Sequence, residues 1–325
     1  MRVLVTGAAG FVGQSLCERL RADGIEVRAF VRDASAAMLH HSVEVQGGEI
    51  TDEAAVRAAV ERTDAIVHLA ARVHVMRDTE HDPLAEFRRV NVEGTRTLAR
   101  TARDAGVNHL VFVSSVKAVG NASTLRWASD THPRPADSYG VSKLEAEQVL
   151  LAEAGSPSRV TVLRFPLVYG PGMKGNMLRL FSLVARGFPI PVSRKANARS
   201  ILFLGNAVAA ISRVLECGRL STPEPLRPPP LFVADGPPTS TSTLVGEIAE
   251  ALGVRQRTLP LPHHMLRMLA GITDPFTGRR VQSALERLFG SLEVDEEEFE
   301  RRFGFQAPFT RRQGLAITAA WFRQS

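Results

Sequence analysis

Cysteine is nearly absent from the 325 residues. Cys17 and Cys217 stand alone, too few for a disulfide framework or a thiolate metal site, and this points to a reducing compartment. No apolar run approaches the ~20 residues a membrane-crossing helix needs. The N-terminus shows no basic stretch, apolar run and cleavage site, because MRVLVTG reads directly as a strand; a cytoplasmic protein is expected. Lysine is also scarce: of 40 basic residues only Lys117, Lys143, Lys174 and Lys195 are lysines. The arginines fall beside acids, as in Glu300-Arg301-Arg302, with no basic tail or run. The net charge of +6 therefore argues against a nucleic-acid surface and suits a small anion such as a nucleotide diphosphate. With 44% hydrophobic and 23% charged residues, extended disorder is excluded. The length suits one large domain or two interlocked ones.

What is present is alternation. Apolar, β-branched runs at 1–6, 26–31, 43–47, 64–70, 109–115 and 159–165 predict six strands. Helical spacing predicts helices over 11–23, 51–63, 83–105 and 137–153 between them. Such order predicts an α/β fold, a doubly wound parallel sheet covered on both faces. After Pro166 the pattern changes. One more unit follows, a strand at 198–204 and a helix at 206–217, then a Pro-rich loop and a short strand at 231–235. The remainder reads as helices at 241–253, 262–272, 279–289, 295–303 and 310–324. Residues 1–165 are expected to form a dinucleotide-binding domain to which 198–235 returns. Residues 166–197 and 236–325 are expected to form a smaller, mostly helical lobe for substrate.

Thr6-Gly7-Ala8-Ala9-Gly10-Phe11-Val12-Gly13 joins the first strand to the first helix. One glycine serves a tight turn, one lets backbone approach a pyrophosphate, and one lets helix pack on strand. The helix N-terminus then offers free N–H groups to the phosphates. The second strand ends Phe30-Val31-Arg32-Asp33. A valine stands where an acid would hold the adenosine ribose, and Arg32 suits a 2′-phosphate. This favours NADP(H), with NAD(H) open if Asp33 takes the ribose and Arg32 is merely solvated.

Tyr139 and Lys143, in YGVSK, share one helix face at a spacing of four. A phenol is a poor base near neutrality, and a neighbouring cation favours its ionised form, so the pair can exchange a proton with a substrate oxygen. Ser114 and Ser115 end the fifth strand, at the sheet edge where such folds bind ligands.

The ordered set TGAAGFVG (6–13), HLAA (68–71), NVEGT (91–95), VFVSSVKAVG (111–120), YGVSK (139–143) and LRFPLVYGPG (163–172) resembles the extended short-chain dehydrogenase/reductases, which share the Rossmann fold. Among them it looks most like the nucleotide-sugar epimerases, dehydratases and 4-ketoreductases. The resemblance implies a catalytic trio of Ser115, Tyr139 and Lys143. It implies cofactor contacts from Gly7, Gly10, Phe11, Val12, Gly13, Arg32, Glu49, Ile50, Leu69, Ala70, Ala71, Asn91, Tyr139, Lys143, Phe165 and Pro166. For substrate it implies Ser115, Lys117, Asn176 and Arg199, the last two at the sugar nucleotide's diphosphate. A helix cap and a surface arginine remain the plain readings of Asn176 and Arg199. A homodimer is implied as well.

Two departures narrow the chemistry. Where 4,6-dehydratases carry an Asp-Glu pair for elimination, this chain has Val116-Lys117, which supply no acid–base pair. The Val31-Arg32 ending favours a consumed NADP(H) over a recycled NAD. The expectation is a 4-ketoreductase acting on a UDP-linked 6-deoxy-4-keto-N-acetylhexosamine for surface polysaccharide. A UDP-glucose or UDP-N-acetylglucosamine 4-epimerase is the alternative, and a non-catalytic nucleotide sensor a second one. His68, His74 and His81 show no fixed ligand geometry, so no metal is assigned.

Overall fold

The computed structural model describes residues 1–35, 37, 39–73, 82–123, 125–155, 158–193, 197–219, 227–261 and 290–324. The helices expected at 262–272 and 279–289, and His74, His81 and Lys195, lie outside them. In chain order the first half runs β1 (Arg2–Thr6), α1 (Phe11–Ala22), β2 (Glu26–Val31), β3 (Glu44–Gly47), α2 (Glu53–Val60) and β4 (Ala65–His68). It continues with α3 (Pro83–Phe87), α4 (Gly94–Asp104), β5 (His109–Ser115), α5 (Ser138–Glu153) and β6 (Arg159–Phe165). Then come β7 (Leu167–Tyr169), α6 (Gly175–Ala185), β8 (Ile190–Ser193), β9 (Ile201–Phe203), α7 (Leu204–Arg219) and β10 (Leu231–Phe232). The last elements are α8 (Thr241–Leu252), β11 (Thr258–Leu261), α9 (Glu297–Phe303) and α10 (Arg311–Phe322).

Seven strands form one sheet in the order β10-β6-β5-β4-β1-β2-β3, with every pair parallel. Strands buried on both faces need helices on both. One apolar core joins Leu16 and Leu20 of α1 and Ile211 and Val214 of α7 to the sheet. A second joins Val56 of α2, Leu98 of α4 and Leu150 of α5 to the other face. The strand order reverses between β4 and β1, so the loops leaving those strands part and open a crevice at the carboxyl edge.

Local chemistry sets the helix starts. Asp52 and Asp137 accept N–H bonds at the heads of α2 and α5, and Asp82 precedes Pro83 at the head of α3. The helix expected at 83–105 is present but carries a π-helical stretch over Arg88–Glu93. That extra residue in the turn re-aims Asn91, a placement that hydrophobic spacing does not encode.

A third core, including Phe181, Val245, Ile248 and Leu315, builds the C-terminal lobe. The strand expected at 198–204 shrinks to β9, which pairs with β7 instead of the large sheet. β7, β8 and β11 are three or four residues long, too short to show a period. Residues 291–295 strap the molecule: Ser123 and Trp127 donate to Ser291 O and Glu293 O, and Ser200 donates to Leu292 O. The strap so joins the segment after β5 to the segment before β9.

Candidate active site

The glycine loop has no room for side chains. Gly7 sits at φ +68°, and a Cβ there would lie 2.7 Å from Ala70 N. A Cβ on Gly13 would lie 2.3 Å from Gly7 O, and one on Gly10 3.0 Å from the same oxygen. Helix α1 starts at Gly10 with no side-chain cap and no acid in its first turn. Its leading N–H groups, those of Phe11, Val12 and Gly13, thus face outward beside the reversal in strand order, a backbone cradle fitted to a pyrophosphate. The donor set and the missing Cβ atoms therefore fit a dinucleotide.

Behind the loop lies a buried hydrogen-bond relay. Thr6 Oγ1 accepts from the N–H groups of Leu69 and Ala70, both at 3.2 Å, and lies 2.7 Å from His68 Nδ1. On the other side Thr95 Oγ1 donates to Asn91 O at 2.6 Å and lies 2.9 Å from His68 Nε2. Each hydroxyl has one proton. Thr95 spends its own on Asn91, so it accepts from His68 Nε2–H, and Nδ1 accepts from Thr6. Burial pushes the imidazole pKa down to about 3, with the Lys143 ammonium acting in the same direction. His68 is therefore a neutral core residue, as its strand position suggested. Among the described residues no cluster of three metal-ligating side chains occurs.

Asn91, aimed by the π-helical stretch, closes the wall. Its Oδ1 accepts from Arg72 N at 2.7 Å, and its Nδ2 donates to Arg72 O and to Ser142 Oγ at 3.1 and 2.9 Å. The loop Leu69–Ala71 is thereby fixed to both β1 and α5.

Ser115, Tyr139 and Lys143 come together at the carboxyl edge. A Cβ on Gly140 would lie 2.3 Å from Lys117 O, so the missing side chain lets the head of α5 close on the turn after β5. The Ser115 hydroxyl lies near enough to the Tyr139 phenol to favour its ionised form. Burial raises the phenol to about 12, the Ser115 hydroxyl pulls down, and Asp137 pushes up. The Lys143 ammonium shares the helix face of the phenol and also meets β5. It donates to Val113 O at 2.9 Å and stands 4.0 Å over the Phe112 ring. Burial lowers Lys143 to about 7, opposed by Glu147.

The other expected residues are less uniform. Phe165 and Pro166 are buried at the end of β6, beside Ser115, whose register partner is Phe165. Ile50 is buried with its Cγ2 2.5 Å from where a Gly94 Cβ would stand, and Glu49 is exposed beside it. Arg32 is exposed after β2, while Asp33 Oδ1 accepts from Ser35 N and Oγ at 2.9 and 2.6 Å. Lys117 is ion-paired to Asp137 and reaches Asn121 at 3.1 Å. Asn176 is exposed in the first turn of α6. Arg199 is half-buried, donates to Gly290 O at 2.8 Å, and has its pKa lowered to about 10 by desolvation. Sequence reasoning missed Thr6, Thr95, Asp137 and Glu147. Only Glu147 left a local signal, one helical turn beyond Lys143.

A reversal in strand order beside a bare helix N-terminus defines the class, a doubly wound fold for dinucleotides. The sequence pattern of the NAD dependent epimerase/dehydratase family matches residues 3–224. A UDP-glucose 4-epimerase from Vibrio cholerae is 34% identical, over 99% of this chain and 96% of its own. The N-acetyl-alpha-D-glucosaminyl-diphospho-ditrans,octacis-undecaprenol 4-epimerase of Escherichia coli O157:H7 is 29% identical, over 97% and 93%. Among solved structures, MoeE5 in complex with UDP-glucose and NAD is 27% identical, with a TM-score of 0.77 over 100% of this chain and 99% of that one. The chain belongs to the NAD dependent epimerase/dehydratase family and is an enzyme of that NAD-dependent group. No helix among its described residues is long and apolar enough to cross a membrane.

Proposed function

We propose that the chain carries out oxidation or reduction at C4 of a UDP-linked hexose, in its first form as a 4-ketoreductase of a UDP-6-deoxy-4-keto-N-acetylhexosamine. The observation that carries this is the juxtaposition at the sheet edge of Ser115, at the end of β5, with Tyr139 and Lys143, which share one face of α5. When bound, the nicotinamide supplies or takes the hydride. Gly7, Gly10 and Gly13 and the first turn of α1 hold its pyrophosphate, Leu69–Ala71 and Asn91 wall its ribose, and Phe165 and Pro166 line the ring. Ser115 hydrogen-bonds the C4 oxygen. The Tyr139 phenol is protonated at neutral pH in this state, so it stands as the donor to a developing C4 alkoxide. Lys143 holds the ribose. Val116 and Lys117, the latter tied to Asp137, offer no acid–base pair for dehydration. Arg199, a half-buried guanidinium, and Asn176 at the head of α6 receive the diphosphate.

Arg32 favours net reduction with NADP(H). It is exposed at the end of β2, and the rival carboxylate, Asp33, is engaged by Ser35. The Vibrio cholerae relative favours the second reading, 4-epimerisation with a recycled NAD. Near-ultraviolet absorbance of NADPH mixed with protein and UDP-4-keto-6-deoxy-N-acetylhexosamine separates them. Stoichiometric loss supports the reductase. No loss, with interconversion of UDP-hexoses and no added cofactor, supports the epimerase. Absence of both refutes the proposal.

A further inference from the structure

Helix α5 fixes the backbone of Tyr139 but does not by itself fix the ring. Asp137 accepts from Gly140 N at 2.8 Å, and Ser142 Oγ donates to Tyr139 O at 2.8 Å. Two χ1 rotamers are ordinarily open to an aromatic side chain on a helix, and they put the phenolic oxygen in different places. A contact from outside the helix has to choose between them. Among the described residues the ring that meets Tyr139 is Phe87, the last residue of α3, with centroids 6.0 Å apart and planes at 60°. That tilted arrangement is one that aromatic pairs prefer. Phe87 is 3% exposed and has a second partner, the Arg72 guanidinium, whose carbon stands 5.6 Å from the ring centroid. Arg72 is held at its backbone by Asn91, which accepts from Arg72 N and donates to Arg72 O. The same Asn91 Nδ2 donates to Ser142 Oγ. The contacts close on themselves, running from Arg72 through Phe87, Tyr139, Ser142 and Asn91 back to Arg72.

Building on the function proposed above, we propose that Phe87, steadied by the Arg72 guanidinium, is a positioning residue that aims the Tyr139 phenol at the C4 oxygen. Phe87 has no proton to give and no charge. What it supplies is a wall that leaves the phenol one rotamer. Its own place is set by sequence close by. Asp82 accepts from Ala85 N at 3.1 Å and Pro83 opens α3, which delivers Phe87 one turn later. The π-helical stretch begins at the next residue, Arg88. Phe87 and Asn91, four residues apart, thereby meet Tyr139 and Ser142, three residues apart on α5. Arg72 directly follows Leu69–Ala71, the loop that walls the cofactor in the reading above. One closed set of contacts therefore sets both the place of that loop and the aim of the phenol.

The scarcity of tyrosine makes a direct test possible. The chain has two, so protein labelled with 13C at tyrosine Cζ gives two signals, and Tyr139→Phe identifies that of Tyr139. A ring flip leaves Cζ in place, so splitting or broadening reports a swing of the whole ring. Phe87→Leu keeps an apolar side chain and removes the flat ring. The Tyr139 signal, single and sharp in the wild type, splits or broadens, and the Tyr169 signal does not move. In the same variant kcat falls by about 10–100-fold, the cost of misplacing a reacting group. KM for the sugar nucleotide and the dissociation constant for the dinucleotide stay near wild type. Arg72→Met keeps the stem and loses the cation, and it lowers kcat in the same direction. Arg72→Lys keeps a cation and recovers the rate. A Phe87 that only fills the core gives a lower melting temperature with kcat and the Tyr139 signal unchanged, and that result overturns the proposal. If Phe87→Leu does not fold, the half-buried Arg72 carries the test. A wild-type kcat with a single Tyr139 signal in Arg72→Met is then the refuting result. The spectra need neither substrate nor cofactor. A split Tyr139 signal in Phe87→Leu beside a fully active Tyr139→Phe enzyme would sink the C4 chemistry alone. A single signal beside an inactive Tyr139→Phe enzyme would sink the Phe87 role alone.

Discussion

Replacing His68 by glutamine tests whether this buried imidazole is the acid-labile link between the glycine loop and Asn91. His68 is 2% exposed, bonded to Thr6 and Thr95, and holds a pKa of about 3 against an ordinary value of 6.5. The sign is that of a group kept neutral by the fold. Its contribution is fully present above the unfolded value, near 6.5, and is lost as pH falls toward the folded value, near 3. Between about pH 7.5 and about pH 4.5 that loss amounts to roughly 3 kcal/mol, a sizeable part of the ~5–15 kcal/mol that holds a protein folded. His68→Gln removes the titration and retains one donor and one acceptor. At neutral pH it loses about 1–3 kcal/mol from imperfect hydrogen bonding. Its stability then changes less with acid than that of the wild type, by roughly 3 kcal/mol. Urea unfolding of both proteins at the two pH values reads this double difference. Every other group cancels in it, including His109, which burial also lowers to about 4. Equal acid sensitivity in the two proteins would refute both the neutral imidazole and the relay drawn through it.

Tyr139→Phe removes the phenolic proton and little else, so turnover should fall by about 10²–10⁴-fold while the dissociation constant for the dinucleotide is unchanged. A near-wild-type rate counts against the mechanism. Gly13→Ala places a methyl 2.3 Å from Gly7 O and 2.7 Å from Ala8 Cα, both backbone atoms. Dinucleotide affinity by calorimetry should drop at least tenfold, and an unaltered affinity would mean that the loop is not the phosphate cradle. Arg32→Asp exchanges the cation at the end of β2 for a carboxylate, and should lower affinity for NADP(H) more than for NAD(H). An unchanged ratio would remove the case for a 2′-phosphate site.

Most of the sheet was legible because its rules are local. β1, β2, β5 and β6 are mainly apolar runs with several β-branched residues, as suits strands buried on both faces. The glycine loop was legible for the same reason, since a missing Cβ is written in the sequence at the residue that needs it. The spacing of Tyr139 and Lys143 gave their shared face. That Lys143 also meets Val113 O and the Phe112 ring was not legible from the spacing. Spacing fixes which face two side chains share and leaves open which acceptors the neighbouring strand presents. The shortened β9 and the π-helical turn at Asn91 were hidden for a related reason. Each is selected by what packs against it: β7 in one case, Arg72 and Ser142 in the other.

The groups that sequence reasoning missed share one physical trait: each ties a side chain of the site to a neighbouring element. Thr6 and Thr95 fix the tautomer of His68, Asp137 occupies Lys117, and Glu147 holds Ser114 and Arg164. A proton-transfer site needs such support, because a donor with an undefined place transfers to no particular acceptor. Burial defines the charge, since it keeps His68 neutral and the Tyr139 phenol protonated. The buried Glu147 carboxylate, anchored by an arginine and a serine from two strands, ties the helix of Tyr139 and Lys143 to the strand that ends in Ser115. The Ser114–Glu147–Arg164 cluster thus fixes the elements that carry the trio relative to one another.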